Sequence, residues 1–264
     1  MALAWSSVGI LLKNIRMFIS YIKTAFRTIR RNLSYTFLNV FGLTLSIAAC
    51  LVIFLIVRNE LSYGNFHKKA DRTYRVTLNA LDFNPSVSFV VVPALRNDFP
   101  ELEEVSQYWY QYTGLVKTGE ARYNEKGYAY ADDSFFRIFD YEWLAGDPRT
   151  ALSGPNEVVL TSSIAKKYFG SRDPLGEIIN LDNEYNLKVT GVIKDVPANT
   201  SLPFSFLVSY ETVKKEVLAH PNFYNINGGM AFIVVPENYS IQRLQSRMPA
   251  FITKNWGAGI SKES

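Results

Sequence analysis

From Asn32 to Val57 the sequence carries no charged side chain, and from Leu33 onward it is almost wholly apolar. Read as a helix over Ser34–Val57, this run spans about 36 Å, more than a hydrocarbon core of about 30 Å. A core helix of a soluble protein rarely runs that far without a charge, so the pattern predicts a transmembrane helix. A cleaved signal sequence would have a shorter apolar region closer to the N-terminus. Ile47-Ala48-Ala49-Cys50 has the look of a lipoprotein cleavage box, yet seven apolar residues follow the cysteine.

Ahead of the span, Ile15, Phe18, Ile19, Ile22, Phe26, Ile29 and Leu33 recur at helical spacing, with Arg16, Lys23, Arg27 and Arg30 between them. This predicts a basic amphipathic helix that lies in a membrane interface or packs on a partner protein. Residues 1–14 read as an extension.

Behind the span the period changes. Thr73–Leu81 alternates as a strand does, and Val105–Val116 reads as one or two aromatic strands. Tyr128–Ala131, Glu157–Leu160, Leu202–Val208 and Met230–Val235 read as further strands, and Glu177–Leu181 with Tyr185–Lys194 as a hairpin. Helices are predicted over Pro93–Asp98, Asp133–Phe139 (capped by Asp132 or Asp133), Thr161–Phe169 (capped by Thr161 or Ser162, with Gly170 at C′) and Ser240–Trp256. Asp173-Pro174-Leu175-Gly176 fits a turn with proline second and glycine fourth. The fold class is therefore α+β: one transmembrane helix, then a mixed α/β extracytoplasmic domain in one or two lobes. The domains are 1–33 (cytoplasmic basic segment), 34–57 (membrane helix) and 58–264 (extracytoplasmic domain).

Charge fixes the orientation. The net charge is +4, but no Asp or Glu precedes Glu60, so residues 1–59 carry +7 and leave 21 basic against 24 acidic residues behind them. The basic excess belongs to the segment before the span, which favours a cytoplasmic N-terminus and argues against a nucleic-acid-binding domain. One cysteine and two histidines exclude a disulfide framework and a multi-cysteine zinc site.

Catalytic motifs are missing: there is no P-loop, G-x-S-x-G or H-E-x-x-H. No catalytic, cofactor-binding or metal-ligating residue is assigned, and no cofactor is expected. His67 and Asp71 read as a surface pair, Asp132-Asp133 as helix-capping carboxylates, and Glu101, Glu103 and Glu104 as a solvated acidic stretch. Phe135, Phe136, Phe139, Tyr141 and Trp143 read as core. Tyr108, Trp109, Tyr110 and Tyr112 form a candidate ligand or partner surface, with the three tyrosines on one strand face. Within the span, Asn39, Gly42, Ser46 and Cys50 share one helical face; the last three have small-xxx-small spacing that lets another helix approach.

In order along the chain, several blocks resemble a known family. They are Asn65-Phe66-His67 with Ala70-Asp71-Arg72 and Tyr74-Arg75-Val76, Asp133-Ser134-Phe135-Phe136 through Leu144-Ala145-Gly146-Asp147-Pro148, and Val158-Val159-Leu160-Thr161 through Tyr168-Phe169-Gly170. Asp173-Pro174-Leu175-Gly176 and Val189-Thr190-Gly191 through Val196-Pro197 continue them. Together, over about residues 20–256, they resemble a MacB-like periplasmic core domain behind the first membrane helix of an FtsX-like ABC transporter permease. The resemblance implies a permease component in a bacterial cell membrane that works with a separate cytoplasmic ABC ATPase. Its implied partners are the lipid bilayer, further permease helices or a second permease copy, and other envelope proteins, with no nucleic acid. It places a second membrane helix just beyond Ser264, so the chain reads as a permease component or its N-terminal portion. A single-pass binding or sensory protein without transport activity is the alternative.

Overall fold

The computed structural model describes residues 17, 19–21, 23–25, 27–61, 67–79, 83–219 and 229–256. Ile15, Phe18, Ile22 and Phe26 of the predicted amphipathic face, the Asn65-Phe66 pair and His220 lie outside them. The chain divides into two compact units, Met1–Leu61 and Ser62–Ser264.

In the first unit, helix α1 (Leu33–Leu61) runs 29 residues, and none of them is buried. It is long and apolar enough to cross a membrane. Side-chain hydroxyls along it bond back to the preceding turn, Thr44 Oγ1 to the Val40 carbonyl at 2.7 Å and Ser46 Oγ to that of Gly42 at 2.9 Å, so these polar groups are satisfied without water. A Cβ built on Gly42 would meet no atom within 4 Å.

The second unit is a single body of two short and nine sheet-forming strands. Its elements are β1 (Thr73–Val76), β2 (Leu78–Asn79), β3 (Phe83–Asn84), α2 (Val91–Asp98), β4 (Glu104–Thr118), β5 (Ala121–Ala131), α3 (Phe135–Ile138) and β6 (Trp143–Gly146). Then follow β7 (Glu157–Thr161), α4 (Ser162–Phe169), β8 (Ile178–Leu181), β9 (Tyr185–Ile193), β10 (Phe206–Ser209), α5 (Lys214–Val217), β11 (Met230–Val234) and α6 (Ile241–Trp256). The predicted Thr73–Leu81 strand is split: β1 pairs with β11, whereas β2 pairs with β3.

The sheet closes on itself. Its order runs β1-β11-β4-β5-β10-β7-β9-β6, and β8 pairs with both β4 and β9. Six strands, β4, β5, β10, β7, β9 and β8, thus form a hydrogen-bonded ring, while β1 and β6 remain as edge strands at the two ends of the order. Alternation sorts the side chains. Val158, Leu160, Phe206, Val208, Tyr128 and Tyr130 share the ring's inner cluster with Ile164, Tyr168 and Phe169 of α4. Their neighbours Val159, Leu207 and Ala129 belong to an outer cluster with Phe135 and Ile138 of α3. A third cluster seats α2 and α6 on β11 through Leu95, Ile233, Leu244 and Phe251. Phe135, Phe136, Phe139, Tyr141 and Trp143 all lie in or against the outer cluster.

Turn chemistry sets the register. The β4–β5 hairpin turns on Gly119 at φ 56°, which suits the first central residue of a type II′ turn. After α4 the turn sits one residue later than the Pro-Gly spacing predicts: the Glu177 amide donates to the Pro174 carbonyl at 3.2 Å, with Gly176 at φ 81° in the third position. That is where a type II turn requires a positive φ.

Candidate functional site: an aromatic cleft beside the strand ring

An open cleft of about 480 Å³ lies where β5 kinks. Gly127 produces the kink with φ 70°, and its carbonyl accepts from the Ser205 amide at 2.6 Å and the Ser205 hydroxyl at 3.0 Å. A Cβ at Gly127 would stand 2.9 Å from the Tyr110 hydroxyl, so only glycine lets that ring lie against the strand. The Thr161 hydroxyl holds the floor by donating to the Ser205 carbonyl at 2.7 Å. The apolar walls come from Tyr110, Ile164, Val196, Pro197, Pro203 and Phe204, with Lys126, Ser163, Asp195 and Thr200 as polar groups at the cleft.

Asp195 fixes the segment that leaves β9. Its carboxylate accepts from the Ser163 amide at 2.8 Å, the Ser162 hydroxyl at 2.9 Å and the Ser163 hydroxyl. These bonds, led by the Ser163 hydroxyl, hold the carboxyl below its usual range. Asp195 thereby caps α4, and the expected cap from Thr161 or Ser162 is not made: Thr161 occupies the N-cap position without a side-chain cap bond. Gly170 does end the helix at φ 65°. The Asp195 carboxylate is thus committed to the two serines, and the cleft's walls are mainly apolar.

The four aromatic residues singled out from sequence separate here. Tyr108 is buried and donates its hydroxyl to the Pro203 carbonyl at 2.9 Å beneath the cleft. Trp109 points to the other side of β4, edge-on to Phe89 at 4.9 Å and stacked near Tyr130 at 5.4 Å. Tyr110 lines the cleft; Tyr112 is 81% exposed and meets Tyr110 edge-on at 5.2 Å. Of the four, Tyr110 faces the cleft and Tyr112 faces solvent beside it. Asn39, Gly42, Ser46 and Cys50 stand exposed on α1, with no site geometry around them.

The carboxylates read as helix caps or as a solvated stretch are held in hydrogen bonds and ion pairs. Asp132 is buried; Oδ2 accepts from Arg96 Nη2 at 2.8 Å and the Gln107 amide at 3.0 Å, and Oδ1 from the Ser106 hydroxyl at 2.7 Å. Burial raises its pKa, with Arg96, Ser106 and Gln107 pulling the other way. Asp133 pairs with Arg137 at 3.1 Å, and α3 begins at Ser134 without a side-chain cap bond, so neither aspartate caps it. The stretch expected to be solvated is a seam of ion pairs: Glu101 with Arg247, Glu103 with Lys69 and Arg72, and Glu104 with Arg137.

His67 is likewise not a surface partner of Asp71. It is buried edge-on to Phe139 and Tyr141 at 5.0 and 5.7 Å, and its Nδ1 accepts the Asp140 amide at 3.0 Å. The Lys68 amide donates to the Asp140 carboxylate at 2.7 Å. This latch docks the chain six residues after α1 ends onto the loop between α3 and β6. Burial lowers the His67 pKa, against the pull of Asp140.

Among the described residues, no group of three or more His, Cys, Asp or Glu side chains could hold a metal ion. The family profile of the MacB-like periplasmic core domain matches residues 36–251. Among solved structures, a domain of a protein described as a permease from Porphyromonas gingivalis superposes with a TM-score of 0.63 at 22% identity, over 72% of this chain and 86% of that one. The periplasmic region of MacB from Actinobacillus actinomycetemcomitans gives a TM-score of 0.53 at 13% identity, over 77% and 89%. These likenesses show the fold. Comparison with curated proteins gives no match.

Proposed function

This chain belongs to the MacB-like periplasmic core domain family, and from that premise we propose that it is a permease-type component of an ABC transporter. In this reading α1 anchors the chain in a bacterial cell membrane with the basic N-terminal segment in the cytoplasm. The unit from Ser62 onward stands outside, where it meets an export substrate or an envelope protein. ATP hydrolysis belongs to a separate cytoplasmic ATPase, whose movement reaches the outer unit through α1 and further permease helices.

The observation that carries the reading is continuity. One family match runs from inside an apolar, fully exposed helix of 29 residues through the strand ring to α6. A helix with no buried residue needs lipid or other helices around it. The aromatic cleft supplies an apolar, partly polar surface on the outer unit for the substrate or partner.

Co-expression with an ABC ATPase encoded beside the gene tests the coupling. The ATPase is expected to co-purify in detergent, and its turnover is expected to change when this chain is present. Absence of both effects would leave a single-pass binding protein instead.

A further inference from the structure

One wall of the strand ring has no cover. On β5, β4, β8 and β9 the side chains that alternate with the inner residues Tyr123, Val116, Ile179, Leu181 and Leu187 point outward. The pairing Arg122 with Lys117, Lys117 with Asn180, and Asn180 with Asn186 sets one row across all four strands. At about 4.8 Å per strand the row is about 14 Å wide. Lys126 lies two steps along β5 on the same face, and Lys188 pairs with Ile178 on the next row. Arg122, Lys126, Lys188, Asn124 and Asn186 are exposed, and Lys117 is half-buried.

Two features set these cations apart. No ion pair among the described residues includes Lys117, Arg122, Lys126 or Lys188, although the unit pairs its other cations widely. Over the part of these strands that forms the wall (114–118, 121–126, Ile178–Leu181 and 185–188) no acidic side chain points outward; Glu120, Glu177, Asp182 and Glu184 sit in the adjoining turns, and Glu157 of β7 pairs in register with Lys188. Moreover, Lys117 and Arg122 stand directly opposite one another, an arrangement that destabilises an isolated sheet. The chain from residue 60 onward is net acidic, with 21 basic and 24 acidic residues, so this concentration does not follow from composition.

We propose that this wall docks an acidic protein surface, whose carboxylates sit between Lys117 and Arg122 and against Lys126 and Lys188. The amides favour a protein over a lipid headgroup layer. Asn180 Nδ2 donates to Asn186 Oδ1 at 2.9 Å, extending the cationic row with fixed neutral donors and acceptors in strand register. Anionic lipid attracts clustered charge through its surface potential, whereas fixed amides beside fixed cations match the carboxylates and backbone groups of a folded partner. Lys126 also lines the aromatic cleft, so a docked partner would adjoin Tyr110. The inference goes beyond the transporter reading: it concerns the outer unit alone and holds whether or not an ATPase binds the chain.

Fluorescence anisotropy with labelled poly-L-glutamate and the full chain in a neutral detergent tests it. The unaltered chain is expected to bind the probe, and added salt to weaken binding. K117E/R122E is expected to lose at least about tenfold in affinity, while K166E/R243E, equal in charge change but off the wall, changes it less than about twofold. K117Q/R122Q serves as a milder pair. K117E alone is expected to melt above the unaltered chain, because it turns a like-charge pair into an opposite-charge one. Equal losses for wall and control pairs, or no binding by the unaltered chain, would overturn the proposal. So would binding of dihexanoyl phosphatidylglycerol that is lost in K117E/R122E when polyglutamate does not bind.

Discussion

Replacing Asp132 separates charge from hydrogen bonding in the buried junction of α2, β4 and β5. The carboxylate accepts from Arg96, the Gln107 amide and the Ser106 hydroxyl. In D132A all three donors lose their acceptor, and breaking a buried charge pair in this way costs about 3–5 kcal/mol. Arg96 is 42% exposed and regains water, which places the expected loss near the lower end, about 3 kcal/mol. For a unit of this size that lowers Tm by about 6–12 °C. D132N should cost only about 1 kcal/mol, because the Ser106 hydroxyl can accept from the new amide while the remaining oxygen serves Arg96 and Gln107.

Removing the other partner gives a pH signature. The folded-state pKa of Asp132 is already raised above its unfolded value of 3.8, so the native state holds the proton more tightly. Stability from this group is full below the unfolded pKa and is lost as pH rises through the folded one. R96A removes the nearby positive charge and lifts the folded pKa further, so its penalty should grow as pH rises above the unfolded value of 3.8. Thermal melts of the detergent-solubilised chain, followed by near-ultraviolet circular dichroism, check both points. Equal destabilisation by D132A and D132N, or an R96A penalty independent of pH, would refute the reasoning.

Three further outcomes follow from particular contacts. G127A should lower stability by about 1–3 kcal/mol because it strains a φ of 70° and crowds the Tyr110 hydroxyl, and adding Y110F should recover part of the loss in the same melts. His67 has a lowered folded pKa, so its contribution is complete above pH 6.5 and is lost as pH falls through the folded value. The unaltered chain should therefore lose more Tm between pH 7.5 and pH 5 than H67Q, which keeps an acceptor for the Asp140 amide but does not titrate; equal losses would contradict this. G42L/S46L should reduce co-purification with other permease helices without changing membrane insertion, and unchanged co-purification would reduce α1 to a tether.

Sequence pattern reveals the parts of this fold whose partners are close in the chain. The apolar run of α1 (read as Ser34–Val57, observed as Leu33–Leu61), the periodicity of α4 with Gly170 behind it, and the β8–β9 hairpin are all legible because local period and turn chemistry agree. The outer half of β5 is not. Arg122, Asn124 and Lys126 face water, Glu125 is buried beside Lys167, and the Gly127 kink reverses which parity points inward. Ring closure is equally hidden, since it depends on β8 reaching β4 through only Val116–Leu181 and Lys117–Asn180. The cleft joins Tyr110 to residues after β9, and Asp195 caps a helix that begins some thirty residues earlier in the chain. No local signal announces such pairings. The aromatic run of β4 pointed to this region, but alternation alone could not tell buried Tyr108 from exposed Tyr112.

The most direct test of the central claim is the side of the membrane on which each unit lies. Cys50 is the sole cysteine, so C50A gives a cysteine-free chain into which single cysteines can be placed at exposed positions. In intact spheroplasts, a membrane-impermeant maleimide should label Y112C at once and label K23C only after lysis. Labelling of K23C with protection of Y112C in sealed spheroplasts would invert the topology and contradict an outer unit carried by α1.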